Sequence, residues 1–192
     1  MTTLNLTIVN SVDADDTSWD SVGGFNSGNG YQQAGLTGGV GYRAGIRFVS
    51  VSGLTAGVTI TAADLQIRVN ARINNPSTVI HKLEKQSAPA ATTSAANGDA
   101  KTLTTASTSF DYVTTGAFST ISMITAVQEV VDASLDPSAI HVIMRDNGES
   151  NDYMEFSARE STFDSLFDIT YTAGGSTVVK DIIGSGIIPW AR

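Results

Sequence analysis

The fold is decided by residues 140–172, which read IHVIMRDNGESNDYMEFSARESTFDSLFDITYT. The stretch opens with an apolar run, Ile140–Met144, which is followed after a polar break by two more runs, 153–157 and 166–172. Asn147–Gly148 lies in the break, and Asn-Gly between apolar runs predicts a hairpin because both residues tolerate positive φ. In the two later runs apolar and polar side chains alternate, which turns one face to a core and the other to water. The stretch therefore predicts late strands of an antiparallel β domain.

The same alternation predicts four further strands, residues 4–9, 43–52, 58–70 and 79–85. A fifth strand is predicted at residues 103–113, which are rich in Thr and Ser. Both faces of residues 43–52 carry apolar side chains, which is typical of a central strand. Residues 13–41 are instead dense in Gly, Asn, Ser and Asp, so we expect an extended loop there with one short strand near Tyr31. Residues 87–100 are rich in Ala, Ser, Thr and Gly, which predicts an exposed, mobile loop.

One helix is predicted within residues 119–134, where apolar side chains recur at helical spacing. We expect this helix to pack on the sheet through Ile124, Val127 and Val131. Ser122 is the candidate N-cap, although the glutamate or glutamine of a capping box is missing.

Composition narrows the function classes. A chain of 192 residues fits one domain with a substantial core. The net charge of −8 opposes non-specific nucleic-acid binding, and no apolar run approaches the roughly 20 residues that span a bilayer. Without cysteine there are no disulfides, thiolate metal sites or cysteine nucleophiles. The N-terminus has neither a basic region nor a long apolar run, so we expect no signal peptide.

The composition changes after Thr172, so we divide the chain into a domain, residues 1–172, and a C-terminal arm, residues 173–192. The arm is apolar and is interrupted by glycines that can act as joints. Its large apolar side chains, the predicted partner-binding residues, are Val178, Val179, Ile182, Ile183, Ile187, Ile188 and Trp190. Two interpretations remain open: the arm packs on a neighbouring subunit or other partner, or it adds an edge strand to its own domain.

Four segments resemble motifs of a known family: Arg43–Phe48 (RAGIRF), Val58–Ile67 (VTITAADLQI), Ile124–Ala133 and Phe156–Thr172. The family is a jelly-roll β-sandwich of the carbohydrate-binding-module type, found in secreted bacterial proteins and in structural proteins of tailed phages. The resemblance covers roughly residues 4–172. It implies an all-β, antiparallel jelly-roll sandwich with one short helix, to which we add an extended C-terminal arm. The shared motifs are structural, and no sugar-binding aromatic platform carries over from the family.

Two acidic segments contain oxygen ligands of the kind that calcium prefers. The weak calcium candidates are Asp13, Asp15, Asp16, Asp146 and Asp152. Neither segment matches the EF-hand spacing. Both segments are also explained as turns in which Asp and Asn side chains form hydrogen bonds with their own backbone, and we favour this explanation. We therefore expect no cofactor and no resident metal.

No catalytic motif is visible, and we expect that the protein is not an enzyme. His81 and His141 lie within separate strand patterns, which favours packed side chains over a metal or catalytic role. A Gly-x-Ser-x-Gly nucleophile elbow is absent from the sequence. Trp19 and Tyr31, in the expected long loop, are candidates for stacking on a sugar ring if they are exposed. We favour the alternative that they fold back and cover the end of the sandwich.

These observations favour a bacteriophage virion structural protein over the other function classes. The most specific hypothesis is a capsid decoration protein that docks on the major capsid protein or another virion protein, stabilises the shell, and forms homo-oligomers. A position on the capsid exterior is preferred to one in the tail, with neither nucleic acid nor membrane as a partner. The alternative is a carbohydrate- or receptor-binding module of a phage tail or fibre, with a surface glycan as its ligand.

Overall fold

The computed structural model describes residues 3–9, 16–27, 31–72, 77–149, 152–157 and 165–172. The strands in these ranges are β1 (Thr3–Val9), β2 (Asp16–Asp20), β3 (Phe25–Ser27), β4 (Tyr31–Thr37), β5 (Val40–Val49), β6 (Thr59–Arg72), β7 (Ser77–Leu83), β8 (Thr108–Tyr112), β9 (Phe118–Ser122), β10 (Ala139–Asp146), β11 (Asp152–Ser157) and β12 (Leu166–Thr172). The helices are α1 (Ala95–Asp99) and α2 (Ile124–Asp132). The predicted C-terminal arm, with all seven of its apolar candidates, lies outside the described residues, as do Asp13 and Asp15.

The described strands form an antiparallel sheet that turns over on itself. Its main path is β1-β12-β6-β11-β4-β5-β10-β7-β8, with the β2–β3 hairpin attached to β5 and β9 attached to β6. Strand β6 links two layers, because its first part pairs with β12 and its last residues, Val69–Arg72, pair with β11. The predicted all-β fold, an antiparallel sandwich of the jelly-roll kind, is confirmed.

The core lies between the two layers and is built by alternation along the strands. In β6, Leu65, Ile67 and Val69 are fully buried, while the side chains between them face outward. Across the core, the ring of Phe48 in β5 meets the ring of Phe167 in β12, with centroids 5.5 Å apart. Because burial of each such side chain contributes roughly 1.5–3 kcal/mol, these contacts hold the layers together.

The prediction of an extended loop across residues 13–41 is wrong for the part that the structure describes. Strands β2 and β3 occupy residues 16–20 and 25–27, whereas the short strand expected near Tyr31 is confirmed as β4, residues 31–37. Several glycines of this region serve turns between strands, as at Gly38 and Gly39, whose φ angles are 57° and 80°. Glycine there supplies positive φ rather than a loop without regular structure.

The hairpin predicted at Asn147–Gly148 is also wrong. The turn exists, with Gly148 at φ 85°, but β10 pairs with β5 and β7, whereas β11 pairs with β4 and β6. The two strands therefore belong to different parts of the sheet, separated by β4 and β5. A local turn signal determines the turn, and the jelly-roll topology determines which strands become neighbours.

Helix α2 is shorter than predicted, because residues 118–122 form strand β9 instead. Its N-cap is Met123 and makes no side-chain capping bond, so the assignment of Ser122 as N-cap is wrong. Val127 and Val131 are buried as expected, but Ile124 is 36% exposed and does not anchor the helix.

Replacing Val127 by aspartate is expected to lower the free energy of unfolding by several kcal/mol, because a carboxylate would enter an apolar contact. Val127 is 1% exposed. The matched control is Ile124→Asp in the first turn of the same helix, where a negative charge is favourable and little stability should be lost. Chemical denaturation followed by circular dichroism measures both variants, and equal losses would contradict this packing of α2.

Candidate functional site

A cover segment, residues 85–103, packs on the outer face of strands β2, β5 and β10. It contains α1, whose N-cap Ser94 accepts a hydrogen bond from the backbone N–H of Asn97 at 3.1 Å. The segment is attached to the sheet through a bridge between Glu84 and Leu103 and through a 3.3 Å bond from Arg47 Nη1 to the carbonyl of Pro89. The predicted exposure of residues 87–100 is confirmed for most of the segment, but Pro89, Thr92 and Gly98 are buried. The segment is therefore attached to the sheet and covers part of it.

Trp19 is buried beneath this cover segment and is only 2% exposed. Its indole N–H donates to Asp99 Oδ1 at 2.8 Å, and Gly98 lies so close that an added Cβ would be 2.5 Å from the ring. The hypothesis that Trp19 is exposed and stacks on a sugar ring is therefore wrong, since the indole is covered by protein. Tyr31, at the start of β4, is 42% exposed.

The calcium candidates that the structure describes take part in local bonding. Asp146 Oδ1 accepts from the backbone N–H of Gly148 at 3.2 Å, and Asp152 Oδ2 accepts from Asn147 Nδ2 at 3.2 Å. Asp16 is buried in β2. Within the described ranges no group of three or more His, Asp or Glu side chains is placed to hold a metal ion.

A buried charge cluster consists of Lys101, which belongs to the cover segment, and of Glu84 and His141, which lie beneath it. Lys101 Nζ donates to Glu84 Oε2 at 2.7 Å and to the carbonyl of Ala90 at 2.9 Å. His141 Nδ1 is 2.9 Å from the same carboxylate oxygen. The three side chains are at most 3% exposed, so the cover segment isolates the cluster from solvent.

The cluster has a defined protonation state. Burial raises the pKa of Glu84, but hydrogen bonds from His141 and Lys101 outweigh it and hold the pKa below its usual value. Burial lowers the pKa of His141, against the opposing effect of Glu84, so the imidazole is neutral at pH 7. Nδ1–H of His141 therefore donates to the Glu84 carboxylate, which can only accept.

A carboxylate that orients an imidazole also occurs in hydrolases, which is why access to His141 matters here. Its Nε2 lies against Gly45, where an added Cβ would be 2.5 Å away, and it has no hydrogen-bond partner among the described residues. Thr17 Oγ1 borders the same glycine and also lacks a partner within that part of the chain. Both side chains are at most 1% exposed, so a substrate cannot reach them without removal of the cover segment.

The second histidine is also fully enclosed. His81 Nδ1 is 3.2 Å from the carbonyl of Thr108, and its Nε2 is 2.9 Å from the hydroxyl of Tyr112. A carbonyl only accepts, so Nδ1 carries the proton and Nε2 accepts from Tyr112. Burial lowers the pKa of His81 to about 4, although hydrogen bonds to backbone carbonyls oppose this shift.

The low pKa of His81 predicts a specific pH dependence of stability. Between pH 6.5 and about 4 the unfolded chain binds a proton at this histidine and the native chain does not. The free energy of unfolding therefore falls as the pH decreases from 6.5 to about 4, and His81 contributes ~3 kcal/mol to this fall. Above pH 6.5 the titration of His81 does not change the stability. His81→Gln should show a smaller fall between pH 7 and pH 4 in urea titrations, and an identical fall in both proteins would contradict the assignment.

An aromatic face, defined by Phe25, Tyr31, Tyr42 and Tyr153, lies near the β2–β3 hairpin and strands β4 and β11. Phe25 is 37% exposed and, together with Tyr42, lines a groove of about 220 Å³. The ring of Tyr42 meets that of Tyr153 edge to face, with centroids 5.4 Å apart. The two tyrosines flank Gly35 on neighbouring strands, where a larger residue would collide with the carbonyl of Asp152.

Polar groups accompany these aromatic rings. Glu155 Oε1 accepts from Tyr153 Oη at 2.8 Å and from Gln33 Nε2 at 3.2 Å. Burial, and then the bond to Glu155, raise the pKa of Tyr153, so its hydroxyl stays protonated and donates. This combination of exposed rings with amide and carboxylate groups was not predicted, because its residues are dispersed over four strands.

Comparison with known proteins adds little to this geometry. No family model matches the chain, and no curated protein matches it. A chain from the structure of the Gx strain of infectious bursal disease virus aligns with 92% of this chain and 33% of its own length, at 14% identity and a TM-score of 0.35. A chain from the structure of the Gt strain aligns with 90% of this chain and 38% of its own, at 16% identity and a TM-score of 0.30. The present chain thus spans little more than a third of the length of these viral chains, and such low scores are not evidence for a shared function.

Within the described residues, no helix is long and apolar enough to cross a membrane.

Proposed function

We propose that the protein is a structural protein of a bacteriophage virion, and in particular a capsid decoration protein that docks on the major capsid protein. Its role is to stabilise the shell from outside through many identical contacts. The sandwich supplies a rigid body, and the C-terminal arm, residues 173–192, supplies the docking element. The proposal is supported by the chemistry of the arm and by the resemblance of four sequence segments to a jelly-roll family that is found in tailed-phage structural proteins and also in secreted bacterial proteins.

The observation that carries the proposal is the way in which β12 ends. Its last residue, Thr172, is paired with Thr3 of β1 on one side and with Thr59 of β6 on the other. Both edges of β12 are thus occupied where the apolar arm begins. In this proposal the arm leaves the ladder at this point and buries its apolar side chains on another surface.

The composition of the arm favours a partner as that surface. Seven large apolar side chains fall between Val178 and Trp190. Fully burying each contributes roughly 1.5–3 kcal/mol, so exposure of the whole set would forfeit on the order of 10 kcal/mol and promote aggregation. When an oligomer of the protein makes the same small contact several times on a symmetric shell, the contacts together bind tightly although each interface is small.

The buried charge cluster supports a structural role over a catalytic one. Glu84 and His141 have the chemistry of a catalytic pair, but the cover segment closes them off, and their bonds attach it to the sheet. A stabilising role accounts for their geometry.

Deletion of residues 173–192 tests the proposal. We expect the truncated domain to keep its melting temperature and to lose co-sedimentation with capsids of the phage whose genome carries the gene. The alternative position of the arm is along the outer edge of β1, which among the described residues pairs with β12 alone. If truncation unfolds the isolated protein, the arm belongs to its own domain and the docking proposal fails.

The aromatic face supports a second candidate function, recognition of a glycan. Exposed aromatic rings stack on the apolar faces of sugars, and Glu155 and Gln33 offer hydrogen-bonding groups for hydroxyls. Glycan-array binding that is lost in Tyr31→Ala and retained in Val22→Ala would favour this function, because Val22 is also exposed but lies outside the aromatic face.

A further inference from the structure

We propose that the protein binds an oxyanion, a carboxylate or phosphate group, in a cleft between strands β5 and β10 and the cover segment. This arginine cleft, about 260 Å³ in volume, is lined by Arg43, Asp99, Lys101 and Arg145, with Trp19 at one side. The inference does not depend on the proposed virion role.

The sheet register brings the two arginines together. Strands β5 and β10 are antiparallel, and their last recorded pair is Ala44 with Met144. Extended by one step, the same register would place Arg43 opposite Arg145, and both residues line the cleft. Ala44 and Met144 are both fully buried, so the arginines lie on the opposite, outer face. Like charges directly opposite on neighbouring strands repel, so this pair is unfavourable without an anion.

The positive charge of the cleft is only partly compensated. Lys101 is neutralised by Glu84 beneath the cover segment. Asp99 Oδ1 lies 3.3 Å from Arg43 Nη1, but the same oxygen already accepts from the indole of Trp19. Two guanidinium groups therefore share one carboxylate, in a protein whose net charge is −8.

Hydrogen-bond donors in the cleft also lack acceptors. Nε of Arg43 is shielded from solvent and donates no hydrogen bond within the described part of the chain, and Nη1 has only the 3.3 Å ion pair with Asp99. The guanidinium of Arg145 has neither a hydrogen-bond nor an ion-pair partner among the residues that the structure describes. A buried donor without an acceptor is destabilising, so a group that enters the cleft, reorients Arg43 and accepts from it should bind favourably.

Guanidinium chemistry defines the ligand class. The planar fork of arginine matches the oxygens of carboxylates and phosphates and forms two parallel charge-assisted bonds. The volume admits several water-sized groups, which suits a small acid or one acidic group of a larger molecule rather than an extended chain. Arg43 and Arg145, one on each strand, can hold such a group between them.

The test uses the full chain and three probes, inorganic phosphate, sulfate and succinate, with ionic strength balanced by sodium chloride. We expect saturable binding by calorimetry and a higher melting temperature, because a ligand of the native state stabilises it. A higher affinity for phosphate or sulfate would identify a tetrahedral oxyanion as the natural ligand group, and a higher affinity for succinate would identify a carboxylate. Either preference supports the site.

Arg145→Gln is expected to lower the affinity for the preferred probe about tenfold or more. Arg145→Lys should lower this affinity less, since lysine keeps the positive charge but loses the paired donors of the guanidinium. Arg68→Gln is the control, because Arg68 lies on β6 and bonds to Gly116 and Asn70. Far-UV circular dichroism confirms that each variant is folded. Absence of saturable binding by all three probes, or equal affinity in wild type, Arg145→Gln and Arg68→Gln, would overturn the proposal.

Discussion

Replacing Glu84 by glutamine is expected to lower the free energy of unfolding by about 3–5 kcal/mol, because it breaks a buried ion pair by removing one partner. Glu84 and Lys101 are 2% and 3% exposed at their side chains and are bonded at 2.7 Å. Glutamine keeps the shape and still offers an oxygen to His141, but it leaves the Lys101 ammonium buried without its counter-charge. Urea denaturation at pH 7 measures the loss.

Two controls separate this effect from a general loss of contacts. The double variant Glu84→Gln/Lys101→Met removes both charges and should recover most of the lost stability, because an apolar replacement of a buried pair is often neutral. Lys85→Met breaks the more exposed pair with Glu129 and should cost about 1 kcal/mol or less. If Glu84→Gln is as stable as wild type, the cluster is hydrated in solution and the cover segment does not seal it.

Replacing Trp19 by alanine should lower the free energy of unfolding by about 3–5 kcal/mol, since a large buried side chain is lost and a cavity remains. The indole fills the space between Arg43 on β5 and Gly98 in the cover segment. Trp19→Phe keeps most of the apolar contact but loses the 2.8 Å bond to Asp99, so a loss of about 1–2 kcal/mol is expected.

Chemical denaturation measures the Trp19 variants, and proteolysis within residues 85–103 reports on the cover segment. Trp19→Ala should be cleaved there faster than Trp19→Phe. An alanine variant of wild-type stability would show that the indole is exposed and would restore it as a sugar-stacking candidate.

The alternation of apolar and polar residues predicted the strands that have one buried and one exposed face. The patterns around Leu65 in β6, Leu83 in β7 and Ile169 in β12 match the buried positions, because a period of two reports directly on a half-buried strand. The valines of α2 were located by their helical spacing for the same reason. These elements carry most of the core.

The glycine-rich region 16–41 was predicted mostly as loop because propensity does not report on what a missing side chain permits. Gly45 lies in the part of β5 that was predicted, and there an added Cβ would be 2.5 Å from His141 Nε2. Gly35 lies within β4 at φ 118° beneath two tyrosines. Glycine at such positions allows close approach, but in a sequence it has the composition of a loop.

The buried charge cluster leaves no sequence signal. Glu84 and His141 are 57 positions apart, and both lie on strand faces that alternation assigns to the outside of the sheet. They are buried only because the cover segment lies over them, and its Ala- and Ser-rich composition predicted an exposed loop. Packing of an irregular segment onto a sheet depends on individual contacts, such as the bond from Trp19 to Asp99, rather than on periodicity.

The proposed virion role is tested most directly by the protein content of purified particles. Virions of the phage that carries the gene should be banded by density and quantified by mass spectrometry, with heads and tails then separated. The decoration proposal predicts the chain in the head fraction, at a fixed ratio to the major capsid protein, and its loss from particles when residues 173–192 are deleted. Its absence from banded virions, despite its presence in the same lysate, would contradict the proposal.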